Sequence, residues 1–156
     1  MKFEADELGA IAGVQATHER VPAGFVLRRS EAFIDRVGPI YQRTHGDGRV
    51  DVGFVAQAHH ANLFGAVHGG MFATLADVAL GINVLAQSEP GTRLGTVSLN
   101  VDFIAGGRVD EWIEASVTLD KMAGRLRFAS CLVRGEDGRS LLRASGVFSS
   151  YVPRTE

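Results

Sequence analysis

The sequence predicts an α+β domain in which a curved antiparallel sheet of about six strands wraps around one long helix. Two observations carry this prediction. The run from His59 to Ala86 contains a single acid, Asp77, and no lysine or arginine, although 22% of the chain is charged. Downstream of it, apolar and polar residues alternate with period two along successive stretches separated by glycine-rich turns.

The helix comes first. From Met71 onward, Met71, Phe72, Leu75, Val78, Leu80, Ile82, Val84 and Leu85 leave no polar face, so the segment belongs in a core or a membrane. A membrane span is disfavoured because Asp77 would lie near mid-bilayer and Asn62, His68 and Gly69-Gly70 interrupt the run. The expected element is therefore a central helix ending near Gln87-Ser88, ahead of Pro90-Gly91. It carries a carboxylate into apolar surroundings, where a charge is costly unless partnered, and this marks Asp77 as a candidate functional group.

The remaining elements follow in chain order. Leu8, Ile11 and Val14 suggest a short amphipathic helix broken at Val21-Pro22-Ala23-Gly24, and Ser30 is expected to cap a second one running to Arg36 and stopped by Gly38-Pro39. Residues 1–37 are thus read as a helical extension and 38–156 as the main domain. Ile40 to Thr44 and Val50 to Ala56 flank His45-Gly46-Asp47-Gly48, a hairpin pattern. After the helix, Val97 to Phe103, Ile113 to Leu119, Leu126 to Leu132 and about Leu141 to Val152 read as strands. The short turns between them, Gly106-Gly107 among them, imply antiparallel neighbours. On the third of these strands Leu126, Phe128 and Leu132 are expected to face inward, with Arg125 and Arg127 outward.

Composition excludes several classes. A net charge of −2 and a pI near 6.2 give no electrostatic footprint for nucleic acid. One cysteine, Cys131, excludes an internal disulfide and a multi-cysteine metal site within one chain. The opening MKFEADELGAIAGV carries acids where a secretory leader needs positive charge, so a cytoplasmic setting without a membrane partner is expected.

His60-Ala61-Asn62, Gly65-Ala66-Val67-His68-Gly69-Gly70 and Leu75-Ala76-Asp77 together form an N-x-x-G-x-x-H-G-G pattern, with an acid seven residues past the second of the paired glycines. In this the chain resembles the hotdog-fold acyl-CoA thioesterases of the phenylacetate-degradation (PaaI-like) type, over roughly residues 38–151. The resemblance implies a homodimer or homotetramer with active sites between subunits, and hydrolysis of an acyl-CoA thioester to free acid and coenzyme A. No cofactor or metal is implied, coenzyme A being part of the substrate. Asp77 of one subunit would act, as general base or nucleophile, on a thioester held by its neighbour's Asn62-to-Gly70 loop. Asn62 would orient the water or carbonyl, His68 would position the thioester, and Thr96 would help hold the water.

The chemistry of the residues points the same way. Glycines opening a helix let a ligand approach free N–H groups at the positive dipole end, and the Gly69 amide becomes the expected oxyanion donor. Gly70, Phe64, Val67 and Phe72, with Met71, are candidate walls for an acyl pocket, although the apolar ones serve equally well as core. Each assignment has a plainer rival. Asp77 could be a structural acid at a subunit interface, His68 a helix cap, Asn62 a turn-former and Thr96 an ordinary strand residue. Metal ligation by His59, His60, His68 and Asp77 matches no common spacing. Arg125, Arg127 and Lys121 read as a solvated face or as contacts to the coenzyme A phosphates. The alternative function is a non-catalytic acyl-CoA-binding or sensing domain of the same fold.

Overall fold

The computed structural model of the chain describes residues 19–30 and 32–153. The helix expected around Leu8 to Val14 lies outside the described residues. The described residues form seven strands and two α-helices: β1 (Val26–Arg28), α1 (Phe33–Val37), β2 (Ile40–Thr44), β3 (Val50–Val55), α2 (Gly69–Ala86), β4 (Arg93–Phe103), β5 (Trp112–Lys121), β6 (Leu126–Gly135) and β7 (Ser140–Tyr151). A single turn of 3-10 helix at Ala58–His60 precedes the loop that leads into α2.

The strands form one antiparallel sheet in the order β1-β2-β3-β5-β6-β7-β4, curled around α2. Met71, Phe72, Leu75, Ala76, Ala79, Leu80, Asn83 and Val84 of α2 are buried against the inner face of the sheet. Although α2 is long and apolar enough in composition to cross a membrane, those contacts make it the core helix. Within the core, Asn83 is the polar anchor. Its Oδ1 accepts from Val50 N–H at 2.9 Å and its Nδ2 donates to Val50 C=O at 2.7 Å, which pins the helix to the start of β3.

The structure differs from expectation at five points. The sheet extends back to Val26, where a short strand not expected from the sequence, β1, pairs with β2. Ser30 does not cap α1: Ala32 precedes the helix, and the Ser30 N–H and hydroxyl instead donate to the Asp35 carboxylate.

A third difference concerns neighbours, since β4 pairs with β7 at the sheet edge and β5 lies between β3 and β6. Gly106-Gly107 therefore begins a crossover, not a hairpin. Gly107 threads the core so closely that a Cβ there would lie 2.7 Å from Phe72 Cζ and 3.0 Å from Ile113 Cδ1. The Glu111 carboxylate then ties the crossover down, accepting from Arg108 N–H and from Arg139.

The faces of β6 are also reversed. Ala129, Cys131 and Val133 point into the core, and their period-two partner Arg127 points the same way, while Leu126 is 43% exposed. Finally, α2 is not covered on all sides. Ala73, Thr74, Asp77, Val78, Gly81 and Ile82 are only half-buried and Leu85 is exposed, which forms an open stripe along one side of the helix.

Candidate active site

The site is built around the start of α2. His68 is its N-cap, with Nδ1 accepting from Gly70 N–H at 2.8 Å, while the His68 N–H donates to His60 C=O at 2.8 Å. The ring is therefore the tautomer with its proton on Nε2, facing outward. Capping takes the Gly70 amide, and the helix continues with the Met71 and Phe72 amides both donating to His68 C=O. Among the described residues the Gly69 N–H has no acceptor, and it sits at the positive end of an 18-residue helix.

The loop before it is shaped by Asn62. Its Oδ1 accepts from Phe64 N–H at 2.8 Å and Ala66 N–H at 3.3 Å, and its backbone pairs with Ala66 and Gly65. Gly65 takes a φ of 80°, which a β-carbon would resist. Asn62 is thus a turn-former through its carbonyl, which leaves the Nδ2 amide as the end free to meet a ligand.

Asn62, Val67, Gly69, Phe72, Phe103 and Ile104 line a cavity of about 310 Å³. Of the expected pocket residues, Val67 and Phe72 are among its walls. Phe64 is not: it is 93% exposed at the loop tip. Gly70 opens onto the other side of the helix start, into a second cavity of about 410 Å³ with Phe33, Val37, His59, His68, Met71 and Thr74. Phe103 and Ile104, which also line the first cavity, carry no sequence signal for that role. They stand at the end of β4, where alternation gave a strand but no hint that its end folds over Gly69. The two are in contact range, since a Cβ on Gly69 would lie 3.1 Å from Phe103 Cε1.

Asp77 projects from the open stripe of α2, and Thr96 Oγ1 donates to its Oδ1 at 2.9 Å. A β-bulge at Thr96/Ser98 creates this contact. Leu94 and Leu99 both pack on the core side, yet they are an odd number of residues apart, and a regular strand would send them to opposite faces. The extra residue, Val97, is 59% exposed and absorbs the mismatch, so Thr96 and Leu99 both face the helix.

The His59 and His60 rings are both engaged by backbone groups. His60 is buried, donates from Nε2 to Val37 C=O at 2.7 Å and accepts Gln57 N–H on Nδ1 at 2.9 Å. Burial holds its pKa below the ordinary value. His59 Nε2 meets Gly38 C=O at 3.1 Å.

A model of the thioesterase superfamily matches residues 64–142, which include His68, Gly69, Asp77 and Thr96. The chain is 37% identical over 129 residues to PA0474 of Pseudomonas aeruginosa, provisionally named an esterase, and the match covers 82% of this chain and 96% of that protein. The chain belongs to the thioesterase superfamily. A second relative, the acyl-coenzyme A thioesterase THEM4 of Bos taurus, is 36% identical over 90 residues, which is 57% of this chain and 35% of that protein.

Solved structures agree on the fold. The thioesterase HI1161 of Haemophilus influenzae superposes with a TM-score of 0.73 at 15% identity, covering 79% of this chain and 85% of that one. PaaI of Escherichia coli gives 0.69 at 16% identity, covering 77% and 85%. The fold is the hotdog, and within this superfamily the chain is a thioester hydrolase.

Proposed function

We propose that the protein hydrolyses an acyl-CoA thioester at a site shared by two protomers. The observation that carries this reading is the separation of its two halves. The Gly69 N–H and the Asn62 amide face the cavity, whereas Asp77 stands eight residues along the same helix, about 12 Å away at 1.5 Å per residue. One thioester carbonyl cannot reach both within one chain. Asp77 instead faces outward on the open stripe, where an antiparallel second α2 would bring it to the partner's Gly69.

Three further features support a dimer. The stripe Thr74, Asp77, Val78, Gly81 and Leu85 is only partly covered. The outer edge of β4 has no strand beside it among the described residues. Val97, Phe103 and Ile104 on and beyond β4 are 59%, 57% and 56% exposed. A long unpaired edge of this kind, with exposed apolar side chains at Val97 and Phe103, invites pairing with a second copy. A tetramer would follow from pairing two such dimers.

In the mechanism, Asp77 accepts a proton from water as its oxygen attacks the thioester carbonyl. The carbonyl oxygen gains negative charge and is held by the Gly69 N–H at the helix start. The tetrahedral state collapses, the carbon–sulfur bond breaks, and Asp77 returns the proton to the departing thiolate. Thr96 holds the Asp77 carboxylate in place. Asn62 Nδ2 is the donor positioned to orient the thioester, while His68, which lines the second cavity, fixes the helix start by capping Gly70 N–H. Val67, Phe72 and Phe103 make the adjoining wall apolar, which suits an aromatic or aliphatic acyl group.

Thiol release from a panel of aromatic and fatty acyl-CoA esters tests the reading, with wild type and Asp77→Asn compared. The variant is expected to keep fold and oligomer and to lose at least about a hundredfold in turnover, the scale of a missing general base. An Asp77→Asn protein as active as wild type removes Asp77 from the mechanism. Wild type that binds the esters tightly without turning any over is an acyl-CoA-binding domain instead.

A further inference from the structure

We infer that the cavity at the junction of β6, β7 and the start of β4 binds the phosphorylated nucleotide end of the CoA thioester, with Arg125 and Arg127 as its phosphate ligands. The inference rests on the acyl-CoA reading above and adds to it the groups that grip the far end of the substrate.

The cavity measures about 240 Å³ and is lined by Glu89, Thr92, Arg125, Arg127, Ser150 and Tyr151 among others. Arg127 is a built-in element of it. Its Nε donates to Ser150 Oγ at 3.1 Å, and that hydroxyl, on a residue 9% exposed, reaches Arg125 C=O at 3.2 Å. The guanidinium is thereby fixed by one nitrogen, and its two terminal nitrogens are directed elsewhere. Neither Arg125 nor Arg127 has a carboxylate partner among the described residues, although one carboxylate, Glu89, lines the cavity. A fixed fork of uncommitted N–H donors matches phosphate oxygens better than it matches water. Tyr151, 52% exposed beside them, offers a flat face on which a base can stack.

Position distinguishes this pair from the other arginines. Arg127 pairs with Phe148 across β6 and β7, and Phe148 pairs with Thr96 across β7 and β4. The three residues form one row on the face that packs against α2, so Arg127 lies two strand spacings, about 10 Å, from the threonine that holds Asp77. That separation lies within reach of an extended pantetheine arm. The groove lined by Arg49, Arg134 and Arg143 opens on the side of the sheet away from α2, and two of its arginines are already paired, Arg49 with Asp47 and Arg143 with Asp102. The substrate would accordingly span two protomers, with its acyl group in one and its nucleotide on the protomer that supplies Asp77.

The test compares one acyl group carried on CoA and on pantetheine, which lacks the nucleotide. Steady-state kinetics are run on wild type, Arg125→Ala, Arg127→Lys and Arg125→Ala/Arg127→Ala, and the folded state of each is checked by its melting temperature. Binding energy lost far from the reacting carbon raises KM and spares kcat. The expected result is a KM for the CoA ester raised about tenfold per guanidinium removed, with the wild-type preference for CoA over pantetheine collapsing in the double variant. Arg127→Lys, which keeps the charge but loses the fork, is expected to fall between. Variants that retain the wild-type preference overturn the inference. Calorimetric titration with coenzyme A separates this outcome from failure of the hydrolase reading. Loss of CoA binding in the variants of a protein that turns over neither ester keeps the site and discards the catalysis, whereas a wild type that neither binds CoA nor hydrolyses either ester discards both.

Discussion

Replacing Thr96 with valine isolates the contact that the β-bulge creates. The exchange removes the hydroxyl that donates to Asp77 Oδ1 at 2.9 Å and preserves the β-branched shape that suits a strand. A hydrogen bond to a charged group contributes about 1.5–3 kcal/mol when shielded, and less when water can replace it. Thr96 is exposed in the single chain and Asp77 half-buried, so about 1–2 kcal/mol is the reasonable range, equivalent to a loss of about 5- to 30-fold in rate. Because Thr96 acts through Asp77 and does not touch the acyl group, kcat and kcat/KM should fall together. Folding stability should change by no more than about 0.5 kcal/mol, as is usual for an exposed position. Thr96→Ser keeps the donor and should stay within about threefold of wild type. Steady-state thiol release and urea denaturation on all three proteins decide the matter. A valine variant with wild-type kcat, or a serine variant as impaired as the valine one, would show that the hydroxyl does not position the carboxylate.

Two further predictions concern buried groups. Burial pushes the Cys131 thiol up to about 12, so the native protein should give almost no reaction with an aromatic disulfide reagent at pH 8 and one equivalent per chain in guanidinium; rapid stoichiometric labelling of the folded protein would contradict the packing around Cys131. His60 is held neutral below its ordinary value of 6.5 by burial. The unfolded chain therefore binds the proton that the folded chain refuses, and stability should decline as pH falls below about 6.5, by at most about 1.4 kcal/mol per pH unit. Urea midpoints at pH 7.5 and 5.0 should show a steeper acid loss for wild type than for His60→Gln, and parallel losses would remove His60 from the acid response.

Much of this fold can be read from the sequence because local signals and long-range packing agree. The hairpin around His45-Gly46-Asp47-Gly48, the extent of α2 and the inward set Ile113 and Ala115 all follow period and turn chemistry. What sequence could not supply was pairing between distant segments. A glycine pair reads as a turn whether the chain doubles back or, as at Gly107, threads past Phe72 and Val67 to reach another part of the sheet. The faces of β6 depart from the period-two expectation for a related reason. Both of its faces carry apolar residues, and Ala129 and Cys131 are small enough to fit under the helix, while Leu126 and Phe128 are larger and lie outside. Asn83 carries no local signal, because its role depends on Val50, which is 33 residues away.

The open stripe of α2 shows why an all-round apolar helix misleads in a definite direction. Composition records that every side of a helix is shielded from water, but not which molecule shields it. Here the sheet covers the side bearing Phe72, Leu75, Ala79 and Leu80, and leaves Val78, Gly81, Ile82 and Leu85 partly bare. Residues of that kind would cost solubility on a lone domain and cost nothing in the proposed dimer. Asp77 lies among them, and its placement gains meaning in the same way. A carboxylate enclosed by its own core would need a partner to offset its desolvation, whereas one on a helix that meets a second helix is shielded only when the site is assembled. Water is then excluded, and the charge strengthened, only where a thioester can be held. On this argument the apolar run and its single acid are one feature, the half of an active site that each protomer completes for the other.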